Sequence, residues 1–150
     1  MEITFSKKEY RLLIDMLYLA DWVMHSYLTN HDDDNDYKML RKKILSHYKE
    51  MGAEDILEYS KKYDEYFETR EHEDKMLTDF VVPYEDEVFW DELASRLAHR
   101  DIIKQLGLEK YKSLERIDRA TKTVKIISKY NGEFERNGLE NVKIDPVKIK

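Results

Sequence analysis

The sequence predicts an all-α protein, a four- to five-helix bundle with a long central N-terminal helix and an extended C-terminal tail. Three observations predict it. Ser6 and Glu9 stand at the spacing of a capping box, and apolar residues then recur at helical intervals through residue 28. Glycine and proline number only 4 and 2 in 150 residues, too few turn formers for a many-stranded fold. Hydrophobic residues make up 41% and charged residues 39% of the chain, which describes a strongly solvated exterior around an adequate core rather than a disordered chain.

The first helix is read over residues 6–29. Its apolar set is Tyr10, Leu12, Leu13, Met16, Leu17, Leu19, Ala20, Val23, Met24, Tyr27 and Leu28. At about 100° per residue these cover half the circumference, and Lys8, Arg11, Asp15, Tyr18, Trp22, His25 and Thr29 share the rest. A face that broad requires two neighbouring helices, or a second copy of the chain, to cover it.

An acidic loop, residues 30–36, follows, and Asp36 is a good cap for a second helix that ends at Met51 before Gly52. Its apolar positions are Met39, Leu40, Ile44, Leu45, Tyr48 and Met51. A third helix from Ala53 carries Ile56, Leu57, Tyr59, Tyr63, Tyr66 and Phe67, and frays over residues 69–74, a wholly polar run. Phe80, Val81 and Val82, stopped by Pro83, read as an extended connector. A fourth helix over residues 84–99 buries Phe89, Trp90, Leu93, Ala94 and Leu97, and continues or restarts at Asp101 to end at Gly107. A fifth over residues 114–130 has Leu114, Ile117, Thr121, Val124 and Ile127 as its inner stripe. Beyond it, Val142, Ile144, Val147 and Ile149 alternate with polar residues around Pro146, the pattern of an extended tail or one short strand. The domain boundaries are therefore 1–132 for the bundle and 133–150 for the tail.

With no cysteine the chain holds no disulfide, no thiolate zinc site and no cysteine nucleophile. Its start lacks a basic segment followed by an apolar core, so no secretory signal is expected. Asp15 and Asp21 interrupt the apolar run of the first helix, which argues against a membrane span or a membrane partner, and a cytoplasmic location is the expectation. Charge is uneven: residues 1–107 carry 25 acidic against 15 basic side chains, whereas residues 108–131 carry 7 basic against 3 acidic. A basic helix on an acidic body most simply lies against acidic neighbours.

Each candidate site competes with a plainer reading. Asp32, Asp34 and Asp36 match the first ligands of an EF-hand loop, but Tyr37 stands where glycine is needed and Lys43 where a bidentate Glu is needed. A solvated turn is the better reading. The five histidines form no His-Glu-x-x-His helix; Asp21 with His25, and Glu68 with His72, are spaced for a surface hydrogen bond more than for a metal, and no metal or cofactor is expected. Arg11, Asp15, Tyr18, Trp22 and His25 are the ligand or interface candidates: an indole and a phenol among charges mark a contact surface, a covered face or a polar pocket. Asp101 is read as the cap of a short helix in preference to a perturbed buried acid.

Residues 101–125 resemble a degenerate helix-turn-helix, with Gly107 in the turn and Lys110, Lys112, Arg116, Arg119 and Lys122 toward phosphate. Ile103 and Ser113 depart from that pattern, and the acidic body opposes DNA. The isolated glycines form neither a phosphate loop nor a nucleophile elbow, and no residue set marks a catalytic site. The expectation is a non-catalytic protein-binding or regulatory module of the cytoplasm that self-associates, as a homodimer, through its first helix. A DNA-binding protein is the first alternative and a metal- or small-ligand-binding bundle the second.

Overall fold

The computed structural model describes residues 2–27 and 36–143, which are mostly helical with one two-stranded sheet. Asp32 and Asp34 of the acidic loop, and Ile144, Val147 and Ile149 of the tail, lie outside the described residues. The chain forms two compact units, Met1–Pro83 and Tyr84–Lys150, whereas the sequence reading placed its boundary at 132/133.

In the first unit, α1 (Lys7–His25) starts as expected: the Ser6 hydroxyl accepts from the Glu9 N–H at 3.3 Å, and the Glu9 carboxylate accepts from the Ser6 N–H at 2.8 Å. The orientation of the helix differs from expectation. Its buried residues are Tyr10, Ile14 and Tyr18, one turn apart along one line, while Leu12, Met16 and Val23 are 53%, 66% and 61% exposed. The predicted apolar sector is wider than what the unit covers: Leu17 and Leu19 are partly buried against the core clusters, and the buried line runs through Tyr18 into the polar stripe. Ile14, fully buried, lies with Leu45, Tyr48, Ala53 and Leu57 in the main core; Tyr18, Met76 and Val81 form a second cluster with Trp22 packed against it.

The second helix, α2 (Asp36–Leu45), is shorter than predicted and gives way to turns, though Tyr48 and Ala53 remain core residues. Asp36 is its first residue rather than its cap, within the usual margin for helix ends. The third predicted helix is instead a hairpin, β1 (Leu57–Ser60) paired antiparallel with β2 (Glu65–Glu68), Tyr59 opposite Tyr66. Aromatic side chains favour the pleated surface, and the Tyr59 and Tyr66 rings lie 4.9 Å apart across the strands. Asp64 closes the turn at φ 51°, a left-handed conformation that a short polar side chain tolerates.

The polar run read as fraying is α3 (Arg70–Met76), and the predicted extended connector is helical too: a π-helical turn, Leu77–Val81, leads into α4 (Val82–Leu106). Pro83 lies inside the continuous helical run 70–106, where it lacks the N–H for one ladder bond, and the π-helical turn stands immediately before it, the local widening by which a helix accommodates such a residue.

In the second unit α4 runs unbroken through Asp101, which is therefore not a cap. Ala94, Ala98 and Ile102 form its buried line, and Phe89, predicted buried, is exposed. Gly107, at φ 80°, separates α4 from α5 (Leu108–Ser113), and α6 (Arg116–Asn137) follows. Residues 133–137, assigned to the tail, are thus helical. The Phe134 ring lies 5.3 Å from Trp90 and 5.8 Å from Tyr130, whereas Ile117 and Val124 of the predicted inner stripe are 77% and 59% exposed. The buried side of α6 is turned away from the one its aliphatic residues suggest, because the large rings near its end bury more area than Ile117 and Val124 do.

Candidate functional site

A cavity of about 840 Å³ opens in the first unit, walled by the C-terminal half of α1, by α2, by the hairpin and by Glu73 of α3. From α1 come Tyr18, Asp21, Trp22 and His25, which share a helix face because they follow at intervals of one, three and four residues. The Tyr18 and Trp22 rings stack 6.4 Å apart. The Arg41 Nη2 of α2 reaches the Glu68 carboxylate at 2.5 Å, with both side chains largely covered, and its Nη1 donates to the Tyr66 carbonyl at 3.5 Å. Lys42 Nζ donates to the Asp64 carboxylate at 2.7 Å, and the Tyr59 hydroxyl donates to the same carboxylate. These bonds hold Asp64 below the usual carboxylate range, Lys42 first and Tyr59 second, while the bond to Asp64 pushes the Tyr59 phenol up. His25 Nδ1 lies 2.8 Å from Asp21 Oδ1.

Tyr18 is 7% exposed, and its buried hydroxyl has no hydrogen-bond partner among the described residues. Burial is the main cause that raises its pKa, with the negative fields of Glu73, Glu68 and Asp21 adding to it.

Of the five ligand or interface candidates, the cavity gathers Tyr18, Trp22 and His25. Arg11 turns outward into a bidentate pair with Asp55, at 2.5 and 3.1 Å. Asp15 lies 3.1 Å from the Nε2 of His72, an ion-pair distance without hydrogen-bond alignment. The Glu68–His72 spacing is thus not used as a pair: Glu68 serves Arg41 and His72 serves Asp15. Sequence reading missed the wall made by Arg41, Lys42, Asp64, Tyr66 and Glu68. A signal was present, since Lys61-Lys62-Tyr63-Asp64 is a polar turn between two aromatic-rich runs, which is how a hairpin reads.

In the second unit, Arg119 Nη2 donates to the carbonyls of Lys112 and Leu114 at 2.9 and 3.0 Å, closing the end of α5, and its guanidinium stands 5.1 Å from the Tyr111 ring. Lys110, Lys112, Arg116 and Lys122 are exposed. Asp101 accepts from Arg100 Nε at 2.8 Å and from the Tyr130 hydroxyl, and these bonds hold its carboxyl below the usual range. It is a fixed anion, not a raised acid.

Among the described residues no three His, Asp or Glu side chains converge as a metal site requires, and no helix is long and apolar enough to cross a membrane. No family model, no curated protein and no solved structure matches this chain.

Proposed function

We propose that the chain is a non-catalytic binding or regulatory module that self-associates through α1. The observation that carries this reading is the exposed side of that helix. Leu12, Met16, Leu19 and Val23 follow at intervals of four, three and four, the spacing of a coiled-coil seam, and three of them are mostly exposed. Tyr27, just past the end of α1, is also exposed. A seam of that spacing fits a second copy of itself, and an antiparallel pair would also oppose the two helix dipoles. The DNA-reading alternative has less support, because α5 is only 6 residues long and Arg119 is committed to its carbonyls.

Sedimentation equilibrium tests the reading. At tens of micromolar, on the order of the concentrations at which modest apolar interfaces assemble, the wild type is expected to exceed the 18.2 kDa monomer mass. Met16→Glu with Val23→Glu is expected to return it to the monomer with its helix content unchanged. A wild type that stays monomeric throughout overturns self-association.

A further inference from the structure

The second unit separates its charges along its length: we propose that the acidic start of α4 is a docking surface for the basic start of α6 of a second copy of this chain. The surface lies in the other unit from the α1 seam, so it stands or falls apart from that reading.

Residues 85–92 carry five acidic side chains and no basic one, and residues 116–129 carry five basic and one acidic. In one copy these segments lie toward opposite ends of the unit. The Trp90 ring lies 5.3 Å from Phe134, which sets residues 85–92 beside the C-terminal end of α6. Arg119 instead closes the end of α5, and α5 directly follows the C-terminal end of α4. At about 1.5 Å per residue, Lys122 stands about 18 Å along α6 from Phe134. Glu92, Asp101, Glu109 and Glu133 pair only with basic residues within four positions of themselves. Among the described residues Glu87 and Asp91 have no ion-pair partner, nor have Lys122, Lys125 and Lys129. The expectation that the basic helix lies against acidic neighbours is therefore not met within one copy.

Each segment also bears an exposed apolar line. On α4, Tyr84 and Val88 follow one turn apart and are exposed, with Glu87 and Asp91 beside them. On α6, Ile117 and Val124 follow two turns apart and are exposed, with Lys125 beside them. The two faces are alike in apolar pattern and opposite in charge. A two-fold axis brings each acidic segment to the other copy's basic segment, so the contact is made twice and covers both apolar lines. Such a contact depends on salt, since charges act over about 30 Å at about 0.01 M ionic strength and about 8 Å at about 0.15 M. Alone it joins two copies at low salt; at cellular salt it adds to a contact made through α1.

The test uses the full chain with Met16→Glu and Val23→Glu, so that α1 does not contribute, and reads mass by sedimentation equilibrium. At about 100 μM and about 0.01 M salt this parent is expected to dimerise, with a dissociation constant that rises at least about tenfold by about 0.15 M. Adding Glu87→Lys with Asp91→Lys, or instead Lys122→Glu with Lys125→Glu, is expected to give monomers with unchanged circular dichroism. An equimolar mixture of these two variants is expected to associate with the parent's affinity, because the two reversed segments then match each other and the two native segments still match. Mixing does not repair a folding defect. A parent that stays monomeric at low salt overturns the proposal, and so does a mixture that stays monomeric. Dimers lost on reversing the lysines but kept on reversing Glu87 and Asp91 also overturn it, since the lysines then face a different anion. A wild type that dimerises at about 0.15 M salt beside a parent monomeric at about 0.01 M leaves the α1 reading standing and this one fallen.

Discussion

Tyr10 shows how one side chain ties sequence to stability. Its ring is buried beside Ile14, and its hydroxyl donates to the Ile44 carbonyl at 2.8 Å, joining α1 to the end of α2. Burial, with a smaller contribution from Tyr66, pushes its pKa from 10.0 to about 12. The neutral phenol is the form the fold holds. Its stabilisation is therefore complete below pH 10 and is lost as pH rises from 10 through about 12. Urea midpoints measured between pH 8 and 12 are expected to fall over that window, and less steeply in Tyr10→Phe, which at neutral pH loses about 1 kcal/mol with the hydrogen bond. Asp101 acts in the opposite direction. Its carboxyl is held below 3.8 by Arg100 and then Tyr130, so its contribution is present above that value and disappears as pH falls through the lower folded pKa. Asp101→Asn is expected to flatten the acid limb of stability below about pH 4, read by circular dichroism against pH.

At the scale of elements, the start of α1 is the most local feature of the fold. Ser6→Ala removes one half of a reciprocal cap and is expected to lower stability by about 1 kcal/mol in denaturant titrations. Because Ser6 and Glu9 are three residues apart and need nothing else, that cap was legible in the sequence, as was the helical character of α1, α4 and α6. The hairpin was ambiguous: residues 61–64 offer its polar turn, but Ile56, Leu57, Tyr59, Tyr63, Tyr66 and Phe67 also satisfy a helical period, and pairing across the turn, Tyr59 on Tyr66, decides for strands. Which side of α1 is covered was illegible, since it depends on how much apolar surface the rest of the unit has to offer. The candidate site was half visible for the same reason. Tyr18, Trp22 and His25 sit on one helix and show in its periodicity; Arg41, Lys42 and the hairpin residues join them only through tertiary pairing.

For the whole molecule, the division at Pro83 and Tyr84 places one tryptophan in each unit, Trp22 in the first and Trp90 in the second. Ile14 is fully buried in the main core of the first unit, and Ile14→Ala is expected to cost about 2–5 kcal/mol there. If the units are separate cooperative bodies, the transition followed through Trp22 moves to lower denaturant while that followed through Trp90 stays in place. Two tryptophan-to-phenylalanine backgrounds isolate the signals. Coincident shifts of both transitions would instead show one cooperative body.

A ribbon of two four-residue strands is too small to hold together in water by itself. Leu57 anchors it in the core, while Arg41 and Lys42 fasten its far edge and tip from α2. Its backbone amides are therefore expected to trade hydrogen for deuterium only when those anchors let go, so that isotope uptake along 57–60 and 65–68 reports how often the cavity loses its outer wall.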